Sequence, residues 1–295
     1  MEIKESPHGF NSDHQNQGSS NRFNTNHQSK ESPPWLNPNH PNFERWKKAR
    51  EISEERGKFV RQIISQYIHC DQLNILELGS GEGGTALVFS IQNKLVSVDL
   101  NLLRLHRQQN IITRINADAF NLPFKLSTFD LIILQDVIEH LPGNEELLHC
   151  LSPFLKKEGI IFLSTPNRFS LLNIISDPHF GLPFISILNR NQIKRYILPF
   201  FRKEDSSRND IAELLSLKEL KHVSADYDMY LNTKFSVQEL LKENKGVAWS
   251  SFHLKLTNFI LKTALYKLIL KVANDKESFL NNFLTPTFYL ILKRK

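Results

Sequence analysis

Cysteine is nearly absent from this chain: its 295 residues contain two, Cys70 and Cys150. Two thiols cannot build a disulfide framework, and neither lies in a spaced Cys/His pattern. A cysteine-ligated metal knot is therefore excluded, and a reducing compartment is expected. Also missing is any run of about 18 uncharged apolar residues, the length a helix needs to cross a bilayer. The opening residues, Met1 to Phe10, lack the basic-then-apolar order of a secretory leader. From these absences a cytoplasmic protein is expected. No internal repeat is present, which removes solenoid and propeller architectures.

Branched apolar residues are scarce from Met1 to about Asn42, where Asn, Ser, His and Gln dominate and Pro33-Pro34 stands near the end. Such a stretch cannot bury enough apolar surface to offset its ordering entropy. The expected layout is a disordered polar tail over 1–42, with Trp35 and Trp46 near its boundary as docking aromatics, and one folded domain over 43–295. The rest is ordinary for a globular domain, with 40% hydrophobic and 23% charged residues overall. A formal charge of +6 and a pI near 9.2 are compatible with an anionic partner, either nucleic acid or an acidic membrane surface. Interleaved basic and aromatic clusters are not evident, so nucleic acid is not the expected partner.

From Phe43 to Ile68 the pattern is helical, with Ile52, Phe59, Ile63 and Ile64 on one face. Short apolar runs then alternate with helical stretches: Asn74–Leu78, Leu95–Leu100, Arg114–Ala117, Phe129–Leu134 and Gly159–Ser164. That alternation is the sequence form of a parallel sheet wrapped by helices, with a ligand crevice beyond the strand ends. After Pro166 it stops. Residues 176–232, with a polar break at 202–210, are expected to be an insertion covering the crevice. A helix from Phe252 to Val272 carries Leu254, Leu261, Leu265, Leu268 and Val272 on one stripe, with lysines elsewhere around it. It suits either packing on the sheet or peripheral contact with an anionic membrane. The β-rich run 286–292 suits a final edge strand.

Chemistry concentrates after the first run, in Glu77-Leu78-Gly79-Ser80-Gly81-Glu82-Gly83-Gly84. Glycines here allow a positive φ and a close approach of ligand to backbone. The spacing of Gly79, Gly81 and Gly84 also satisfies the dinucleotide fingerprint, and a plain strand-to-helix turn explains it equally. Glu77 separates the cofactor readings: a buried carboxylate there repels a pyrophosphate and attracts the ammonium or sulfonium of S-adenosylmethionine. Asp99 ends the second run about 20 residues beyond the first glycine, where a carboxylate accepts ribose hydroxyls. Asn116-Ala117-Asp118-Ala119 ends the third, and Gln135-Asp136 follows the fourth.

With these residues in place, the chain resembles class I S-adenosylmethionine-dependent methyltransferases of the ubiquinone-biosynthesis-like group (methyltransferase type 11), best over 62–167. The resemblance implies an α/β Rossmann-like fold, a seven-stranded sheet with an antiparallel last strand and helices on both faces. It also implies a cofactor site of Glu77, Gly79, Gly81, Asp99, Asp118, Ala119 and Gln135. Gly79 and Gly81 would lie against the methionine part, Asp99 at the ribose, and Asp118 with the Ala119 N–H at the adenine. Asp118 equally suits a helix cap. Ser164-Thr165-Pro166-Asn167-Arg168, followed by Asp177-Pro178-His179, is similar to relatives that modify small molecules or glycan and lipid precursors. The Asn-Pro-Pro-aromatic signature of nucleic-acid methyltransferases is not there; Gln135-Asp136-Val137-Ile138 occupies its place.

Methyl transfer to an oxygen of a small-molecule or lipid-linked acceptor is thus the leading expectation, with His140 or His179 as base. An RNA or protein methyltransferase and a non-catalytic interaction module are the competing readings. Asp136, Glu139, His140 and His179 further resemble the metal site of small-RNA 2′-O-methyltransferases and some quinone O-methyltransferases, with Asp136 replacing a Glu. Capping by Asp136 and packing of His140 explain the same residues without a metal.

Overall fold

A computed structural model describes residues 36–243, 258–263 and 265–295. The tail up to residue 35, including Trp35, and residues 252–257 and 264 of the expected C-terminal helix lie outside them. The polar stretch does not run unpacked to residue 42, however. His40 and Asn42 are buried, and the His40 ring stacks 4.5 Å from the Trp46 ring.

The apolar runs form seven strands: β1 (Asn74–Leu78), β2 (Lys94–Asp99), β3 (Thr113–Asn116), β4 (Phe129–Gln135), β5 (Leu155–Pro166), β6 (Tyr227–Leu231) and β7 (Thr287–Arg294). Their order in the single sheet is β3-β2-β1-β4-β5-β7-β6, with β7 antiparallel to both neighbours and β1 to β5 paired in parallel. Because successive side chains of a strand point to opposite faces, each central strand feeds two cores. Leu76, Leu78, Ile132, Leu134, Ile161 and Leu163 pack on one side with α5 (Asn144–Leu151). Ile75, Leu131, Ile133, Ile160 and Phe162 pack on the other, against α2 (Ser53–Ile64) and α3 (Gly84–Ser90). Burial on both faces explains why these strands read as continuous apolar runs.

Two expectations need correction. Residues 286–292 do not make the edge strand, since β7 lies between β5 and β6, and β6 holds the edge. The insertion also ends before residue 232: residues 217–223 form a helix and 227–231 form β6, both parts of the main fold. The excursion is instead bounded by a bridge between Asn167 and Leu215, with Asn167 anchored through its amide to the carbonyls of Asn281, Asn282 and Thr285. Polar residues obscured this edge because β6 is only five residues long and exposes Asp228 and Tyr230. In the C-terminal helix the described part Leu265–Val272 buries none of its residues; Leu265, Leu268 and Val272 stand in solvent rather than on the sheet.

Sheet order reverses at β1, because the chain moves outward through β2 and β3 and then returns to place β4 on the other side. The crevice beyond the carboxyl ends of β1 and β4 is where open α/β sheets bind ligands.

Candidate functional site

β1 runs straight into the glycine loop. Gly79 has φ +65°, and a Cβ there would lie 2.5 Å from Val137 Cγ2, so no other residue fits without displacing the start of the β4 loop. Gly81 has φ +55° and meets nothing nearer than Arg104 Nη1 at 3.9 Å, which leaves its outer side open to a ligand. Asp99, at the end of β2, accepts the Gly81 N–H on Oδ2 at 2.8 Å and the Asn101 N–H on Oδ1 at 2.7 Å. From below, the buried Gln108 amide donates to Ser80 Oγ and to the Gly81 carbonyl. These hydrogen bonds hold the loop's backbone in place.

Glu77 is 3% exposed, and one of its carboxylate oxygens has no hydrogen-bond partner. Burial and the nearby negative charge of Asp99 push its carboxyl up to about 8, opposed by an N–H from Ala86. A carboxyl in that position lacks a cation. Asp118 is exposed; its Oδ1 accepts the Phe120 N–H at 3.0 Å, so it caps a turn at the end of β3. Ala119 follows on that turn, partly buried. Gln135 closes β4 and accepts the Thr85 hydroxyl at 2.6 Å. These residues stand at or just beyond the carboxyl ends of β1, β2, β3 and β4.

A second group of side chains gathers just beyond β4. Asp136 adopts φ +54°, and its carboxylate is shared between the Ser164 hydroxyl and the guanidinium of Arg56 from α2. Three others converge: Glu139, His140 and His179 each offer a ligand atom within 4.8 Å of the other two. Asp136 is not in this group, because Arg56 and Ser164 already claim it. Glu139 is fully buried, with one oxygen on the Thr165 hydroxyl and the other unpaired; burial and Asp136 raise its carboxyl to about 8. Burial lowers the His140 and His179 pKa values, leaving both neutral at pH 7.

The tautomer of His140 follows from its partner. Nδ1 lies 2.8 Å from the Asp210 carbonyl, which can only accept, so Nδ1 carries the proton and Nε2 the lone pair. His179 comes from the covering segment, where Asp177 caps the turn beneath it by accepting the His179 and Phe180 N–H groups. Asp210 is itself gripped by Arg208, whose hydrogen bonds and charge overcome burial and lower the Asp210 carboxyl to about 2. Arg208 also bonds Asp205 and lies under the Trp46 ring at 5.7 Å.

Arg56, Gln108, Arg208 and Asp210 escaped the sequence reading. Arg56, Gln108 and Asp210 act on partners at least 27 positions away, and Arg208 acts through its neighbour Asp210; no spacing rule signals such contacts. Arg56→Met is expected to lower stability by about 1–3 kcal/mol, because it strands the half-buried charge of Asp136 beside Glu139. Thermal unfolding at pH 7 checks this, and an unchanged Tm would mean that water replaces the guanidinium without cost.

A family model described as a methyltransferase domain matches residues 42–228. Two strains of Mycobacterium tuberculosis hold a "Probable S-adenosylmethionine-dependent methyltransferase" that is 26% identical over 115 residues, covering 37% of this chain and 42% of that protein. The chain thus spans less than half the length of the curated relatives it matches. Among solved structures, a plantazolicin methyltransferase in complex with SAH superposes with a TM-score of 0.51 at 18% identity, over 88% of this chain and 93% of that one. The same enzyme with a monoazolic desmethylPZN analog and SAH also gives 0.51, at 17% identity over 88% and 92%. These likenesses concern the fold.

Proposed function

Because the chain belongs to the methyltransferase-domain family, we propose that it transfers a methyl group from S-adenosylmethionine to an oxygen of a small molecule or of a lipid or glycan precursor. The donor fits the first crevice on two observations: the unpaired, buried Glu77 carboxyl and the open side of Gly81. Gly79 and Gly81 would hold the methionine part with Glu77 facing its ammonium, and Asp99 would take the ribose hydroxyls on its remaining lone pairs. Asp118, the Ala119 N–H and Gln135 would line the remainder of the crevice. When bound, the donor supplies an electrophilic methyl carbon, whose bond to sulfur breaks with the electron pair leaving on sulfur as the acceptor oxygen bonds to carbon.

The observation that carries an oxygen acceptor is the convergence of Glu139, His140 and His179 beside this crevice. A hydroxyl must lose its proton as it attacks, and the Nε2 lone pair of His140 is neutral and directed by the Asp210 carbonyl to receive it. The imidazolium so formed sits near Asp210 and Glu139. A second reading is favoured by the same three atoms: with two neutral imidazoles and one carboxyl left unpaired, they fit a divalent cation. That ion would lower the proton affinity of the acceptor oxygen. Asp136 would serve there as a neighbour neutralised by Arg56, not as a ligand.

Methyl-labelled S-adenosylmethionine and a lipid extract of the source cells test the proposal. Label is expected in a lipid product as a base-stable ether. On the second reading, exhaustive chelation reduces turnover at least about tenfold, with recovery on adding Mg²⁺, Mn²⁺ or Zn²⁺. Turnover untouched by chelation removes the ion and leaves His140 as the base. Failure of S-adenosylhomocysteine to bind in calorimetry would leave a non-catalytic module.

A further inference from the structure

The covering segment has two apolar faces, and only one is used. Phe180, Ile185, Ile193 and Leu198 form a small core of their own with Ile211, beneath which His179 faces the site. Large apolar side chains from the same stretch stand in water: Phe184 is 63% exposed, Tyr196 54%, Phe200 74% and Phe201 61%. Such a set on one short segment exceeds the scattered apolar exposure that any protein surface shows. Phe184 adds a second oddity. It has φ +64°, a left-handed conformation that a bulky residue adopts only under constraint, and its phenyl ring stands in solvent.

Charge along this stretch is mostly positive, up to the exposed Glu204 that follows Lys203. Residues 180–203 contain five Lys or Arg and no Asp or Glu. Lys194, Arg195 and Lys203 are exposed and make no ion pair among the described residues, and the Arg195 guanidinium lies over the Tyr196 ring at 5.4 Å. This run does interleave basic and aromatic residues, contrary to the expectation from the sequence. Arg202 is turned the other way, donating to the Phe180 carbonyl, so it ties the outer helix to the segment's core.

We propose that the outer face of the covering segment, centred on Tyr196, Phe200 and Phe201 and ringed by Lys194, Arg195 and Lys203, docks on an anionic phospholipid bilayer. Aromatic rings and aliphatic side chains enter the acyl boundary while the cations meet acidic headgroups. Exposed Leu171, Ile175 and Ile187 on the same excursion favour acyl chains over nucleic acid, since aliphatic groups offer bases nothing to stack on. Docking would set the segment bearing His179 against the membrane. It rests on the reading that the acceptor is lipid-linked, and it names the surface from which that acceptor enters.

Flotation of the full chain with vesicles of phosphatidylcholine containing 30% phosphatidylglycerol, as about one lipid in three, tests this without donor or acceptor. The chain is expected to float with these vesicles and not with pure phosphatidylcholine. The double variant Phe200→Ser/Phe201→Ser, and separately Lys194→Glu/Arg195→Glu, should each cut the bound fraction at least about tenfold while keeping Tm and S-adenosylhomocysteine affinity. Absence of flotation with anionic vesicles overturns the proposal. So does loss of flotation on Leu268→Ser but not on the Phe200/Phe201 change, which moves the anchor to the helix Leu265–Val272. Self-association or RNA binding abolished by Phe200→Ser/Phe201→Ser, with no vesicle binding, assigns the face to another partner. Vesicle binding by a chain that transfers no methyl group leaves the surface standing and removes only the enzymatic reading.

Discussion

His140→Ala is expected to reduce methyl transfer by about 10²- to 10⁴-fold, the range lost when a positioned proton acceptor is removed. The same loss is expected whether its Nε2 takes the acceptor proton or binds an ion shared with Glu139 and His179. Affinity for S-adenosylhomocysteine should stay within about twofold, because His140 belongs to the second group of side chains and not to the glycine crevice. Stability should fall by about 1 kcal/mol through loss of the hydrogen bond to the Asp210 carbonyl. Single-turnover transfer with pre-bound donor isolates the chemical step. A folded variant that retains more than about a tenth of the rate would take His140 out of the reaction.

Glu77→Gln should separate binding from stability in opposite directions. The carboxyl titrates near 8 in the folded chain and near 4.3 unfolded, so the folded state holds its proton more tightly. Folding of the ligand-free protein is therefore favoured while Glu77 is protonated, and that advantage declines as pH rises from about 4.3 to about 8, then levels. Glutamine keeps an acceptor for the Ala86 N–H and cannot ionise. The ligand-free variant is expected to unfold at the same temperature as the parent near pH 5 and roughly 5–10 °C higher above pH 8. Affinity for S-adenosylhomocysteine should nevertheless weaken by about 10- to 150-fold, since a charge-assisted contact to the ammonium is lost. Calorimetry and thermal melts across pH 5–9 read both effects. A variant that binds as tightly as the parent would place the ammonium elsewhere.

The arrangement of Arg56 and Asp136 shows why the acceptor end was harder to read than the cofactor end. In a regular helix, Asp136 and His140, four positions apart, would share a face. The chain instead passes through a positive φ at Asp136 and a short 3₁₀ turn at Ile138–His140, which points Asp136 at α2 and leaves Glu139 beside the two histidines. A cation 80 positions away decided which carboxylate stayed available.

By itself, the sequence determined the strand runs, the glycine loop, the placement of Glu77 and Asp99, and the α/β class. These are local or period-two features: side chains buried on both faces demand unbroken apolar runs, and a loop that turns against Val137 demands glycine. Only the tertiary structure decided the order of β6 and β7, the limits of the covering segment, the pairing of Asp136 with Arg56, and the tautomer of His140. Each depends on contacts between residues far apart along the chain, such as the Asp210 carbonyl at His140 or the bridge from Asn167 to Leu215. Period and propensity carry no record of them, because long-range pairing is selected by the packing of the whole fold and not by the neighbours of either partner.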